Sequence, residues 1–149
     1  MKTLIISLTV FCVVLSFSVN VFAGDKEDVQ AAIENNIKAF NSHNFKAYFD
    51  AFAEDNTEFT TVGSPLRFDA NAWKDFIEGT ASLEFVNYSQ QDNVIAIYNG
   101  DTAVISGYYI FKTMPKGGEL STQTGRASII MVKKNGKWLT VHMHFSKMF

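Results

Sequence analysis

Cysteine occurs once in the 149 residues, at Cys12, and proline only twice. The lone cysteine rules out an internal disulfide framework and a cysteine-ligated zinc site. Scarce proline with an ordinary nine glycines excludes collagen-like and low-complexity chains. The formal charge is −2, so the chain lacks the basic excess that binding to nucleic acid draws on. No phosphate-binding glycine loop, nucleotide motif or Ser/His/Asp order is present, and no cofactor is expected. What remains is abundant: 47% of residues are hydrophobic and 14% aromatic. A chain of this length forms one domain and buries roughly two-thirds of its unfolded surface.

The first apolar run is not part of that domain. Lys2 precedes an almost wholly apolar stretch from Leu4 to Phe22, which ends at Val21-Phe22-Ala23 before the polar Gly24-Asp25-Lys26-Glu27-Asp28. A positive start, an apolar middle and small residues at −3 and −1 describe a secretory signal peptide, residues 1–23. About 19 apolar residues could also span a bilayer as an uncleaved anchor, but the small-residue pair favours cleavage. The expected product is exported, periplasmic or secreted, with no stable membrane association. It keeps 126 residues, 24–149, with 12 Lys and Arg (Lys2 is lost), 15 Asp and Glu and no cysteine. Its stability must come from a core rich in aromatics.

Along that core, Val29, Ala32, Ile33, Ile37 and Phe40 recur at three and four, predicting an amphipathic helix over 25–40. A shorter helix is expected over 45–52, a strand over 58–62, and a third helix over 70–78 behind Asp69 as N-cap. After Gly79 the pattern turns to β-branched and aromatic runs separated by Asn99-Gly100 and Asn135-Gly136, two hairpin signals. Helices followed by a long meander predict an α+β fold, with helices packed on one face of a curved antiparallel sheet.

Strand alternation assigns faces. In the last strand Leu139, Val141, Met143 and Phe145 are expected to face the helices, with Ala127, Ile129 and Met131 beside them. Trp138, Thr140, His142 and His144 should then face outward together with Arg126. A face so rich in histidine, tryptophan and arginine suits a subunit interface, and a homodimer is expected. His142 and His144 are close enough to share a metal, but no further ligand completes a site, so no metal is expected.

The ending Gly136-Lys137-Trp138-Leu139-Thr140-Val141-His142-Met143-His144-Phe145-Ser146 resembles the closing strand of SnoaL-like domains. It is equally similar to that of the calcium/calmodulin-dependent kinase II association domain. Arg126-Ala127-Ser128 resembles the Arg-x-Thr of the SnoaL-like group, with serine in place of threonine. The resemblance extends over residues 25–149. It implies a nuclear transport factor 2-like cone enclosing a pocket, and a dimer formed sheet to sheet. It does not name a reaction, because such folds serve cyclases, isomerases, dehydratases and oligomerisation modules. The leading expectation is a domain that binds a small apolar ligand through Tyr48, Trp73, Met131, Val141, Met143 and Phe145. The alternatives are an isomerase, dehydratase or cyclase with Asp55, Tyr108 or Tyr109 as the catalytic group, and a non-catalytic oligomerisation module.

Overall fold

Two Asn-Gly pairs shape the C-terminal half. Asn99 and Gly100 have φ of 53° and 74°, and Asn135 and Gly136 have 52° and 77°. Two successive positive φ values form the turn whose twist matches antiparallel strands. Around these turns the chain folds back as β3 (Phe85–Tyr98), β4 (Thr102–Met114), β5 (Ser121–Lys134) and β6 (Lys137–Lys147). The computed structural model describes residues 24–61 and 67–148. The expected signal segment, residues 1–23, lies outside them.

The helices start and stop where local chemistry directs. Residues 24–41 form α1, and its stripe of Val29, Ile33 and Phe40 is buried as predicted. Its first turn is tied to the sheet by an ion pair between Asp25 and Lys133. Asn44 caps α2 (Phe45–Phe49) by accepting the Ala47 N–H, and Asp69 caps α3 (Ala70–Gly79) by accepting from Asn71 and Ala72. The second helix is shorter than expected, and β1 (Phe52–Phe59) begins six residues early. The residues that β1 turns inward include Asn56 and Glu58, both buried, so no apolar alternation marks the strand. With the short β2 (Phe68–Asp69), the sheet has six strands in the order β2-β1-β6-β5-β4-β3.

The α+β class and the helix-covered curved sheet are as expected. The sheet is mixed, however, because β1 runs parallel to β6. Helices α1, α2 and α3 cover one face, and the core cluster joins Phe40, Tyr48, Trp73 and Ile77 to Ile105, Ile129, Met131 and Met143. Burying each such side chain stabilises the fold by about 1.5–3 kcal/mol relative to leaving it in water.

The face assignment of β6 needs one correction. Ile130 pairs with His142, but the next β5 residue, Met131, pairs with Thr140. Val141 is therefore an extra residue, a bulge that reverses the alternation. On the N-terminal side of the bulge, Trp138 and Thr140 turn inward and are buried, and Trp138 joins the core cluster. Beyond it, Met143 and Phe145 point inward, while His142 and His144 face outward as expected. Trp138 is thus core, not outer face.

Candidate functional site

One end of the space between helices and sheet is left unfilled. The three helices supply Ile33, Phe40, Tyr48, Trp73 and Phe76 to its wall, and the inner faces of the strands supply Tyr88, Tyr109, Phe111, Met143 and Phe145. The cavity is half open and has a volume of about 70 Å³, room for about five waters or a ligand of about one ring. Asn36, Thr60, Thr61, Gln90 and Gln123 are the other polar residues of the wall. Among the described residues, the lining contains no Asp, Glu, Lys, Arg or His.

The aromatic wall is held by packing that the strands dictate. Tyr109 lies opposite Gly125 across the β4–β5 ladder. A Cβ on Gly125 would collide with the Tyr109 ring and with the Ser146 carbonyl, so glycine lets that ring lie flat over β5. Tyr109 then meets Phe145 edge to face at 5.4 Å, and its hydroxyl bonds the Thr61 hydroxyl at 3.1 Å. Tyr88 also meets Phe145 edge-on, and its hydroxyl accepts a 2.6 Å hydrogen bond from Gln90 Nε2. The Asn41 side chain clamps β3 to α1, accepting the Tyr88 N–H and donating to the Tyr88 carbonyl.

Beside the pocket sits a group that sequence reasoning missed. Glu58 is completely buried on the inner side of β1, paired with Met143 in the parallel ladder. Its Oε1 accepts a 2.9 Å hydrogen bond from Asn56 Nδ2, and its Oε2 has no partner. Burial pushes its pKa up to about 8, against the opposing effect of the Asn56 bond. Glu58 is therefore a neutral carboxylic acid at pH 7. It does not line the cavity, but it interacts with Tyr48 and Tyr88, which do. Burial first, and Glu58 as a lesser cause, hold both phenols well above their ordinary pKa, so both stay protonated. The available signal was an amide two residues before a carboxyl, which on a strand places both on one face.

The predicted residues divide. Tyr48, Trp73, Met143 and Phe145 line the cavity together. Met131 is buried in the core cluster away from the lining, and Val141 occupies the bulge, so neither forms part of the wall. Of the candidate catalytic groups, Tyr109 reaches the cavity. Tyr108, its neighbour, is 44% exposed on the outer face opposite Arg126. Asp55 is exposed on β1 and does not approach the pocket. On the outer face His142 Nδ1 lies 2.9 Å from the Thr57 hydroxyl, and the Phe59 ring contacts both His142 and His144. Among the described residues no three His, Asp or Glu side chains converge on a possible metal site.

The sequence profile of the SnoaL-like domain matches residues 29–149. The chain belongs to the SnoaL-like domain family. Solved structures show the same fold. A nuclear transport factor 2-like superfamily protein from Salmonella enterica serovar Typhimurium superposes with a TM-score of 0.74 at 17% identity, covering 86% of this chain and 94% of that one. The association domain of Caenorhabditis elegans calcium/calmodulin-dependent kinase II gives 0.68 at 19% identity, covering 83% and 96%. A protein from Novosphingobium aromaticivorans provisionally named scytalone dehydratase gives 0.79 at 10% identity, covering 88% and 89%. At such identities the likeness establishes the SnoaL-like domain's fold and leaves its chemistry to its own residues. No curated protein matches the chain significantly.

Proposed function

We propose that this SnoaL-like domain binds a small, uncharged, largely apolar ligand in its conical pocket. The observation that carries the reading is a ring-sized cavity whose wall, among the described residues, has no charged side chain and several aromatic ones, the usual make-up of a small-molecule site. A pure scaffold has no use for such a space, since filling it with larger side chains would add stability.

The outer face of exposed Phe59, Tyr108, Arg126 and His144, with half-buried His142 among them, supports association as a homodimer through the outer side of the sheet. Relatives named as association domains support oligomerisation in general. Residues 1–23 are proposed to direct export and to be cleaved before Gly24, which intact mass of the exported protein tests.

The binding reading is tested by native mass spectrometry of the purified protein and by thermal melts with monocyclic aromatic compounds. A co-purified small molecule, or a melt raised by a neutral aromatic and not by charged analogues, is expected. If no compound binds and the purified protein carries nothing, the oligomerisation-module reading takes its place.

A further inference from the structure

Among the described lining residues Thr61 alone is exposed, so the cavity meets solvent just past the end of β1. The wall behind this mouth is unevenly polar. Toward the helices it consists of Ile33, Phe40, Trp73 and Phe76, and the Asn36 amide among them donates to the Tyr48 carbonyl. On the sheet side the Gln90 amide donates to the Tyr88 hydroxyl. The mouth differs, because it carries a pair of hydroxyls. Thr61 Oγ1 and Tyr109 Oη share one hydrogen bond of 3.1 Å. Each hydroxyl has one proton and two lone pairs, so that bond uses one proton of the two. Whichever of them donates, the other keeps a proton to give.

We infer that the pocket orients a ring alcohol or phenol, with the ring against the helices and its hydroxyl at the mouth between Thr61 and Tyr109. The inference rests on the binding reading above and adds the ligand's chemical class and the two residues that read it. A ligand hydroxyl can take the spare proton of the pair and donate its own to the other oxygen. An ether supplies only the acceptor, and a hydrocarbon supplies neither. A carboxylate would find a donor there, but the described lining holds no Lys, Arg or His to offset its loss of water. The opposite wall offers the ring aliphatic and aromatic surface, which fixes the direction in which the molecule enters.

The test uses three one-ring probes that differ in a single substituent: phenol, anisole and toluene. Their affinities are measured by NMR titration against wild type, Thr61→Val and Tyr109→Phe. The first change replaces a hydroxyl by a methyl at an exposed position, and the second keeps the ring that packs on Phe145. Each should weaken phenol about five- to tenfold, the worth of one hydrogen bond. Anisole and toluene should each change by less than about twofold, because anisole still finds one donor and toluene uses none. If both variants weaken phenol no more than toluene, the role of the hydroxyl pair is overturned while the binding reading stands. If anisole falls as far as phenol, the selection for a hydroxyl is overturned. If no probe binds the wild type, both the inference and the reading beneath it fall. Should Tyr109→Phe not fold, Thr61→Val decides.

Discussion

The two faces of β5 and β6 share one ladder of backbone hydrogen bonds and carry opposite chemistry. Inward, Ile129, Met131, Trp138 and Met143 pack under the helices, and the nearest carboxyl, Glu58, is neutral. Outward, Arg126 and His144 stand exposed, with His142 and Phe59 beside them. The difference is made by water, not by the strands. A helix-covered face excludes the dielectric that would stabilise a charge, so its polar groups survive only as neutral donors and acceptors. The solvated face tolerates guanidinium and imidazole, and is free to meet a partner. The neutral ligand proposed within and the association surface proposed without both rest on this partition.

The largest test of that partition is Trp138. On the inner face, Trp138→Ala should destabilise by about 3–5 kcal/mol through lost contacts and a cavity, whereas Leu139→Ala, on the other side of the strand, should cost under about 1 kcal/mol. Urea unfolding of both variants decides. The reverse order would mean that Val141 is not a bulge and that the alternation runs unbroken.

Glu58 provides the next. Its folded pKa is raised from 4.5 to about 8, so between those values the native state holds a proton that the unfolded chain has released. This stability is fully present below about pH 4.5 and is lost as pH rises through 8. Glu58→Gln keeps the Asn56 bond and removes the titration. It should gain roughly 2–3 kcal/mol at pH 7 over wild type, on the scale of 1.36 kcal/mol per pKa unit, and flatten the slope. Unfolding free energies measured at pH 5 and pH 8 check it, and an unchanged slope would place a charged carboxylate on the inner face.

Gly125→Ala should cost about 1–3 kcal/mol, because the added Cβ forces the Tyr109 ring or the Ser146 strand to move. The same variant should weaken binding of a neutral aromatic probe, since Tyr109 lines the cavity. A stable variant with intact binding would show that the ring has room to spare. The smallest effect on folding belongs to the outer face. Arg126→Glu and His144→Glu should each change unfolding free energy by less than about 0.5 kcal/mol, yet weaken the proposed dimer in sedimentation velocity. A wild-type protein monomeric at every concentration would remove that surface's role.

Much of this architecture was legible before folding. The stripe of α1, the Asp69 cap and the two Asn-Gly turns are local devices, and each appears where its residues predict. Apolar periodicity pointed Tyr48, Trp73, Met143 and Phe145 at the core, where they border the cavity, but only the resemblance to SnoaL-like domains implied that a pocket lies there. Glu58 was not legible, since an acid in sequence reads as surface and only the enclosing structure makes it neutral. The pairing of β1 with β6 brings together residues more than eighty positions apart, and nothing local encodes it.

The sequence by itself thus determined α1, α3 and where the meander turns, because those choices depend on neighbours within a few residues; it did not mark the end of α2 or the start of β1. Tertiary structure alone decided the rest. It set the parallel register that buries Glu58, the one-residue bulge that sends Trp138 inward, and the fit of Tyr109 over Gly125. Each depends on which chain segments meet across the sheet, and a single extra residue in one strand is enough to exchange its two faces.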